Sequence, residues 1–367
     1  MARIILAAGG TGGHIFPALA VGEILEKAGH EVILFTDKRG APMVEGAISY
    51  RVISGASPFH AGIMRKLAGL SQLAIGVVQS LGAMAFRRPA SVIGFGGYPS
   101  FAPLFAARAL RVPIILHEQN AVMGRANRLL AKLASHIALS FDKTAGAPND
   151  KRVTVTGLPV RDAFFDSAPY QANKRCHITV IGGSLGAQIF ADVIPQAIAR
   201  LPQDIAENLT LTQQARDEHI ASLKQAYDEL GMRADVARFY HDVAGLFANS
   251  DIIISRAGAS SVGEITACGR PAILVPFAAA MDDHQTGNAM RLVDKGAAIM
   301  MAEADIDAET LAQTLATLTQ ETKTRETMAG AARALGDKDA ALNIARLTGL
   351  SLEDADEAPA NEIGAVL

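Results

Sequence analysis

The chain has 367 residues, of which 50% are hydrophobic and 19% are charged. This composition excludes an intrinsically disordered protein, and the length exceeds what one ordinary core supports, so we expect two domains. The formal net charge of -3 does not indicate a nucleic-acid partner. Cys176 and Cys268 stand far apart and lack metal-ligand spacing, which favours two reduced thiols in a cytoplasmic protein.

Short apolar runs alternate with helix-length stretches along the whole chain. Such runs predict the buried parallel strands of βαβ units, with helices on both faces of each sheet. In the first half they are RIILAA (3–8), EVILF (31–35), SVIGF (91–95), PIILH (113–117) and HIALS (136–140), and in the second half HITVI (177–181), LTLT (209–212), DIIIS (251–255) and PAILVPF (271–277).

A strand, a glycine loop and a helix start occur twice, as IILAAGGTGGHIF (4–16) and ITVIGGSLGAQIF (178–190). The repeat predicts two Rossmann-like domains joined by the linker TGLPVRDAFF (156–165), where glycine and proline interrupt the pattern. We therefore expect a first domain over 1–158 and a second over 159–337. A helix near 338–350 could pack back on the first domain, and residues 352–367 form an acidic tail.

The first glycine loop, GGTGGHIF (9–16), is suited to a phosphate because backbone N–H groups and a helix N-terminus face the same point. It lacks the lysine and hydroxyl residue of a P-loop, which excludes a Walker-type NTPase. Counted from Gly10, the G-x-G-x-x-G pattern ends on Ile15 instead of glycine. The match to a dinucleotide fingerprint is weak, although Asp37 at the end of VILFTD could hold a ribose.

Further polar motifs follow predicted strands, at the edge where parallel sheets bind ligands. They are GFGGYPS (94–100), HEQN (117–120), RAGASSVGE (256–264) and DDHQTGNA (282–289). One such motif is explained equally well by the ordinary polarity of a surface loop, but several at one edge predict a binding site.

Taken in order, GGTGGHIFPALA, GFGGYPS, LHEQN, GLPVR, GGSLGAQ, RAGASSVGE and DDHQTGNA resemble the motifs of the MurG glycosyltransferase family. The resemblance implies the GT-B fold, in which two Rossmann-like domains face each other across an active-site cleft. It implies transfer of N-acetylglucosamine from UDP-N-acetylglucosamine to the C4 hydroxyl of the N-acetylmuramyl unit of lipid I, with inversion and no obligatory metal or other cofactor. The product, lipid II, serves peptidoglycan synthesis and with it cell shape and division.

The resemblance also implies roles for individual residues. Asn120 would contact the donor sugar, Arg161 and Ser184 the donor phosphates, Tyr240 the uracil, Glu264 the ribose and Gln285 a sugar hydroxyl. The remaining donor contacts would come from Thr11, Gly12, Gly13, Ala259, Ser260, Ser261, Val262 and Gly263. The acceptor diphosphate would bind Gly10, Thr11, Gly12, Gly13, Gly96, Gly97 and Tyr98.

Inverting transfer requires a base for the acceptor hydroxyl, and an imidazole titrates near physiological pH. His14 closes the acceptor-side loop, whereas the second loop has Ala187 at the matching place. His14 is therefore our first candidate, and His117 with Glu118 beside it is the rival. A UDP-N-acetylglucosamine epimerase, a non-catalytic binding module and a transferase with another lipid-linked acceptor stay open as alternatives.

Residues 67–86 carry no charge and are flanked by Arg65, Lys66, Arg87 and Arg88. The length allows a membrane-spanning helix, but Ser71, Gln72, Gln79 and Ser80 are predicted to share one helical face, which favours a domain helix. A third alternative is a helix lying at a membrane surface. The resemblance favours a peripheral protein on the cytoplasmic face of the inner membrane, docked through 65–88, with protein partners in the cell-wall machinery. The first apolar run is too short for a signal peptide.

Overall fold

A computed structural model describes residues 1–55, 63–183, 186–280 and 283–352 of the chain, with the side chains of 63–66 left aside. The chain divides into two compact units, the first formed by 1–161 together with the residues from Asp337 onward and the second by 162–336. The division lies within the predicted linker 156–165. The predicted acidic tail lies outside the described residues from 353 onward.

The first unit is built on a parallel sheet with the strand order β3-β2-β1-β4-β5-β6-β7. Its strands are β1 (Arg3–Ala7), β2 (Glu31–Thr36), β3 (Tyr50–Val52), β4 (Ser91–Gly94), β5 (Ile114–Glu118), β6 (His136–Leu139) and β7 (Val153–Val155). Its helices are α1 (Gly12–Lys27), α2 (Ile63–Phe86), α3 (Phe101–Ala109), α4 (Arg125–Leu130) and α13 (Ala340–Arg346), with short 3-10 turns at Ala41–Met43 and Tyr98–Ser100.

The second unit repeats this architecture with the strand order β10-β9-β8-β11-β12-β13. Its strands are β8 (Cys176–Ile181), β9 (Leu209–Gln214), β10 (Arg233–Ala237), β11 (Ile252–Ser255), β12 (Ala272–Leu274) and β13 (Ala298–Met300). Its helices are α5 (Gln188–Ile198), α6 (Gln203–Ala206), α7 (Asp217–Glu229), α8 (Val243–Ala248), α9 (Ala259–Cys268), α10 (His284–Val293), α11 (Ala308–Gln320) and α12 (Thr322–Leu335), with a 3-10 turn at Asp162–Phe164. The two parallel sheets confirm the predicted α/β fold class.

In each sheet the chain order reverses next to the first strand, between β1 and β4 and again between β8 and β11. Loops that leave the carboxyl ends of such a strand pair diverge to opposite faces of the sheet, which opens a crevice for ligands. Both glycine loops follow the first strand of their unit. The fold therefore places each loop at the switch point of its own sheet.

Helix α13 returns to the first unit after the chain has passed through the second. Its buried residues Ala341, Ile344 and Ala345 join the core formed by β1 and α1. Asn343 donates from Nδ2 to the carbonyl oxygen of Thr156 at 3.4 Å. These contacts tie the end of the described chain to the unit in which it began.

Helix α2 contains Leu67–Phe86, the one helix among the described residues that is long and apolar enough to cross a membrane by length and composition. Its inner face packs against α3 and the core, with Leu73 and Val77 among the packed side chains. Ser80 is fully buried on this inner face, so the prediction that the four polar residues share one face is wrong for Ser80. Its neighbour Gln79 is exposed and accepts a hydrogen bond from the N–H of Ser54 at 2.8 Å.

Gly76 and Gly82 offer a matched test of how tightly α2 is packed. A Cβ at position 76 would lie 2.0 Å from the backbone oxygen of Ser54, whereas a Cβ at 82 meets nothing within 4 Å. We expect Gly76→Ala to lower the free energy of unfolding by about 1–3 kcal/mol through overpacking. Gly82→Ala should raise it by about 0.5–1 kcal/mol because alanine favours the helix. Urea unfolding measures both, and equal effects would contradict this packing.

Candidate functional site

The carboxyl ends of β1, β4 and β5 are neighbours in the first sheet, and a polar motif follows each of them. GGTGGHIF follows β1, GGYPS follows β4, and HEQN begins within β5. Because parallel strands deliver their carboxyl ends to one edge of the sheet, the three motifs meet there. This edge collects most of the residues that the sequence predicts for the acceptor side.

His14 lies in the first turn of α1, half-buried against the loop that follows β4. Its Nδ1 is 2.9 Å from the carbonyl oxygen of Phe95. Its ring lies close to Gly96 and Gly97, where a Cβ would come within 3.3 and 3.5 Å of ring carbons. Since a carbonyl oxygen only accepts, Nδ1 carries the hydrogen and Nε2 carries the lone pair. This is the tautomer in which Nε2 acts as a base.

His117, the rival candidate, is completely buried in β5. Its Nε2 is 3.0 Å from the Ser140 hydroxyl oxygen, and its ring packs edge-on against Phe95. Burial, followed by the charge of His14, lowers the pKa of His117 to about 3, so the imidazole is neutral near pH 7. A side chain with no exposed surface does not reach an acceptor hydroxyl, and the geometry therefore favours His14.

The carboxylate of Glu118 is 1% exposed and is occupied by four donors, three from the loop that follows β5 and one from α4. Oε1 accepts from the N–H and from Nδ2 of Asn120 at 3.0 and 3.1 Å. Oε2 accepts from the N–H of Gly124 at 3.0 Å and from Nδ2 of Asn127 at 2.8 Å. Glu118 therefore shapes this loop and orients Asn120, and it does not present a proton acceptor to a substrate.

Two residues of this edge are not among the predicted site residues. Gln119 is buried, and its amide nitrogen lies 2.6 Å from Nδ1 of His14. Asn127 is buried on α4, where its Nδ2 also donates to the carbonyl oxygen of His117 at 3.0 Å. Because Gln119 is part of the motif HEQN, the sequence could have predicted it as a site residue. Asn127 lies outside every motif, and only the fold brings it here.

The first glycine loop is held from behind by Asp37. Its Oδ1 accepts from the N–H of Gly10 at 3.1 Å and of Gly40 at 3.0 Å, and its Oδ2 pairs with Arg39 at 3.0 Å. Gly10 therefore uses its N–H inside the loop, and its predicted contact with the acceptor diphosphate stays a prediction. The same contacts occupy the carboxylate that a nicotinamide enzyme would need for its ribose.

The start of α1 offers the donors that Gly10 does not. Thr11 is the exposed N-cap, and the N–H groups of Gly12 and Gly13 begin the helix, where no helical carbonyl accepts from them. The Phe16 ring packs against Gly12, and the guanidinium of Arg161 lies 5.0 Å from the centre of that ring. Arg161 thus adds positive charge beside a helix N-terminus that already favours anions.

The loop after β4 is fastened to β1. The hydroxyl oxygen of Ser100 lies 2.7 Å from the carbonyl oxygen of Gly96 and 2.8 Å from that of Ala7. Gly96 and Gly97 have φ angles of +91° and +73°, which L side chains rarely adopt. The half-buried Tyr98 ring stacks on Phe101 at 6.1 Å. The predicted acceptor residues 96–98 therefore form a fixed wall beside His14.

In the second unit, the predicted nucleotide residues form the first turns of α9. These residues are Ala259, Ser260, Ser261, Val262, Gly263 and the half-buried Glu264. Gly258 caps the helix with extended backbone and supplies no side-chain acceptor to its first N–H groups. The buried hydroxyl of Ser260 has no partner among the described residues. This N-terminus therefore offers several donors to an anion.

Tyr240 follows β10 and is anchored by its hydroxyl. The phenol donates to the carbonyl oxygen of Asp235 at 3.0 Å and lies 3.4 Å from that of Gln213. Burial raises the pKa of Tyr240 far above its ordinary value, so the phenol stays protonated. Its half-buried ring is thereby held at the carboxyl ends of β9 and β10.

Gln285 begins α10 and accepts from the N–H of Phe277 at 2.9 Å, which leaves its Nε2 as the donor side of the amide. The Phe277 loop is fixed by Arg256, whose Nη1 donates to the carbonyl oxygens of Val275 and Pro276. Nη2 of Arg256 pairs with Glu303 at 2.5 Å, and Glu303 also accepts from the N–H of Ala278. Arg256 and Glu303 are further residues that the sequence-based prediction missed, although Arg256 opens RAGASSVGE.

The second glycine loop has Ala187 at the place where the first loop has His14. Gly182 donates its N–H to Oε1 of Gln214 at 3.2 Å, and Ala187 is the N-cap of α5. Ser184, the predicted phosphate contact, lies outside the described residues.

Within the described ranges, no group of three or more His, Cys, Asp or Glu side chains could hold a metal. The expectation of no obligatory cofactor stays a prediction.

Comparison with known proteins places this geometry in a family. Residues 4–139 match the glycosyltransferase family 28 N-terminal domain, and residues 177–344 match the glycosyltransferase family 28 C-terminal domain. The crystal structure of Acinetobacter baumannii MurG is 30% identical, with a TM-score of 0.78 over 95% of this chain and 99% of that one. A relative from Rhodospirillum centenum is 42% identical over 94% of this chain and 93% of its own. This chain belongs to the MurG family of glycosyltransferases.

The Rhodospirillum centenum relative is a UDP-N-acetylglucosamine–N-acetylmuramyl-(pentapeptide) pyrophosphoryl-undecaprenol N-acetylglucosamine transferase. A transferase of the same name from Granulibacter bethesdensis is 42% identical over 96% of this MurG-family chain and 94% of its own. The kitacinnamycin glycosyltransferase, at 17% identity and a TM-score of 0.70, covers 97% of each chain and shows a shared fold alone. The predicted family is confirmed, and the epimerase alternative is not favoured.

The neutral, buried His117 predicts how stability depends on pH in this MurG-family chain. The unfolded chain protonates His117 below about pH 6.5, whereas the folded chain does so only near pH 3, so stability is lost as pH falls between these values. The loss attributable to His117 is up to about 1.4 kcal/mol per pH unit. Urea unfolding from pH 7 to pH 4 should show a shallower slope for His117→Gln.

His136 offers the matched control, because it is exposed at the start of β6 in the same sheet. His136→Gln should leave the slope of stability against pH unchanged. An equal slope in wild type and His117→Gln would show that the buried imidazole is not the group responsible.

Proposed function

We propose that this chain transfers N-acetylglucosamine from UDP-N-acetylglucosamine to the C4 hydroxyl of the N-acetylmuramyl unit of lipid I, giving lipid II. Near-full-length relatives that carry this transferase name support the substrates. The observation that carries the catalytic assignment is the contact of His14 Nδ1 with the Phe95 carbonyl oxygen, because it fixes the tautomer with a basic Nε2.

The step is a single inverting displacement. Nε2 of His14 takes the proton of the acceptor hydroxyl while that oxygen forms a bond to the anomeric carbon of the donor sugar. The bond from this carbon to the UDP oxygen breaks, and its electron pair leaves with the β-phosphate. The N–H groups of Gly12 and Gly13 and the wall formed by 96–98 would bind the acceptor diphosphate.

The second unit supplies the donor-binding elements. We assign the diphosphate of UDP to the start of α9, where the Ser260 hydroxyl is buried without a partner among the described residues. Glu264 would accept from the ribose hydroxyls, and the anchored Tyr240 would pack on the uracil. Gln285 would donate from Nε2 to a sugar hydroxyl, because its carbonyl side is held by Phe277.

The first test replaces His14. We expect His14→Ala to lower the transfer rate to a lipid I analogue by at least about 100-fold, the lower end of general-base catalysis. Affinity for UDP-N-acetylglucosamine, measured by calorimetry, should stay within about twofold, because His14 is assigned to the acceptor hydroxyl and to none of the donor contacts. Labelled N-acetylglucosamine transfer measures the rate.

His136→Ala is the control for this test, because the residue is exposed and lies on β6, away from the three motifs. A His14→Ala enzyme that transfers nearly as fast as wild type would overturn the base assignment and leave the family unaffected. Turnover of UDP-N-acetylglucosamine by wild type without lipid I would instead favour the epimerase.

We further propose that the chain docks peripherally on the cytoplasmic face of the inner membrane through α2. One side of this helix exposes large apolar side chains, among them Leu70 at 54% and Val78 at 69%. Val78 lies close to Arg51 and Val52 of β3, so basic and apolar groups adjoin. Apolar area combined with positive charge is what binds a helix to anionic lipid.

The flanking basic residues differ in how they can contribute. Arg87 pairs with Glu31 at 2.9 Å, and Arg88 donates to the carbonyl oxygen of Arg111 at 3.2 Å. The side chains of Arg65 and Lys66 lie outside the described part of the chain. Among the described residues, the exposed apolar side chains of α2 therefore support the membrane proposal more than Arg87 and Arg88 do.

The docking proposal is tested with vesicles of phosphatidylglycerol and phosphatidylethanolamine. The double variant Leu70→Glu with Val78→Glu should bind at least about tenfold more weakly, because each apolar side chain contributes about 1.5–3 kcal/mol when buried. Binding of wild type should also weaken as NaCl rises, since about 0.1 M salt screens charges beyond roughly 10 Å. Sedimentation of vesicles measures the bound fraction.

Leu230→Glu is the control, because Leu230 is 41% exposed in the second unit and undergoes the same kind of substitution, a single leucine replaced by glutamate. Its vesicle binding should follow wild type. If the double variant bound as tightly as this control, α2 would not be the docking surface.

A further inference from the structure

Gln119 stands in an unusual position behind His14. Its side chain is 4% exposed, and its amide nitrogen lies 2.6 Å from Nδ1 of His14. Its other amide atom, Oε1, is buried and has no hydrogen-bond partner among the described residues. A buried amide oxygen without a partner costs about 1–3 kcal/mol, so its placement calls for an explanation.

The contact between Gln119 and His14 conflicts with the contact between His14 and Phe95. The Phe95 carbonyl oxygen, 2.9 Å from Nδ1, can only accept, so Nδ1 must carry a hydrogen. An amide NH2 can only donate, and it finds no acceptor on a protonated Nδ1. One nitrogen cannot satisfy both neighbours while Gln119 points its nitrogen at the ring.

A half-turn of the amide removes the conflict, because it exchanges nitrogen and oxygen at nearly the same positions. Oε1 of Gln119 then faces Nδ1–H and gains the partner it lacks. The NH2 then takes the buried position of Oε1, and Asn127 Oδ1 and His117 Nδ1 are two further buried atoms of the same unit that lack a partner among the described residues.

We propose that Gln119 is a positioning residue whose Oε1 accepts, together with the Phe95 carbonyl oxygen, the Nδ1–H of His14 and so strengthens Nε2 as a base. The inference rests on the proposed base role of His14. An acceptor on one imidazole nitrogen fixes the tautomer and stabilises the imidazolium that forms when the other nitrogen takes a proton. A neutral amide gives a moderate effect, which a carboxylate at the same place would enlarge.

Several charged and titratable groups of the described residues lie near this imidazole. Asp37 and Arg39 lie beside Gly10, Arg161 lies over Phe16, and Tyr98 follows the glycine pair. The neutral His117 also interacts with His14, and the buried Glu118 next to it in sequence is bound by Asn120 and Asn127. Substitutions at 119 leave all of these in place, so differences between the variants report on position 119 itself.

The test compares Gln119→Met, Gln119→Glu and Gln119→Asn with wild type. The His14 imidazole is titrated by NMR in the intact enzyme, with its signal assigned from the spectrum of His14→Ala. We expect Gln119→Met to lower the pKa of His14 by at least about half a unit, a threefold loss of proton affinity. Gln119→Glu should raise it by about one unit or more.

The rate should follow the titration. Because the base must be unprotonated, the acid limb of kcat/KM should move to lower pH in Gln119→Met and to higher pH in Gln119→Glu. Gln119→Asn, which draws the oxygen back by one methylene, should fall between Gln119→Met and wild type and serves if the methionine variant does not fold. Affinity for UDP-N-acetylglucosamine should not change.

The outcomes separate this inference from the proposed function. A His14 titration that is the same in all three variants overturns the inference, whatever the rates do. A titration that moves while the acid limb of kcat/KM stays fixed supports the role of Gln119 and refutes His14 as the base. Gln213→Met is the control, because Gln213 is a fully buried glutamine of the second unit and its loss should not move the His14 titration.

Discussion

The hydrogen bond between His14 Nδ1 and the Phe95 carbonyl oxygen is the contact on which the acceptor side depends. It forms because β1 and β4 are adjacent, so the helix that follows one strand begins beside the loop that follows the other. Gly96 makes the approach possible, since a Cβ there would come within 3.3 Å of both the imidazole and the Asn127 amide. The strand order brings His14 beside the β4 loop, and Gly96 leaves room for its ring. The Phe95 carbonyl oxygen then fixes the tautomer, so the position of the basic nitrogen depends on all three features.

The buried charges of both units stabilise loops instead of binding ligands. Asp37 holds the first glycine loop, Glu118 holds the loop that carries Asn120, and Arg256 with Glu303 holds the loop before Gln285. Leaving a buried polar group without its hydrogen-bond partner costs about 1–3 kcal/mol, so deforming these loops is costly. The side chains that we assign to substrates, such as His14 and Gln285, are half-buried beside them. Rigid support with partly exposed ligand groups is the arrangement that preorganised binding requires.

The sequence predicts the central strands well because each is buried on both faces and appears as a continuous apolar run. It does not predict β3, β7, β10 and β13, which are the edge strands of the two sheets, short and partly exposed. The candidate site also has features that the sequence predicts and features that it does not. Motifs at strand ends predict His14 and the start of α9, because local order fixes those places. They cannot show that four donors surround Glu118 or that His117 has no exposed surface, since both depend on where α4 and β6 pack.

The two glycine loops both follow the first strand of their unit but differ in their electrostatics. Each is held from behind by a side chain at the end of the adjacent strand, Asp37 after β2 and Gln214 in β9. A carboxylate below the loop would repel the phosphate that we propose binds there, and in the first unit Arg39 offsets that charge through its pair with Asp37. The second loop uses a neutral amide and so needs no such cation. The first loop also carries His14, whereas the second has Ala187. Of these two matching positions in a repeated fold, only the first therefore carries a side chain that can act as a base.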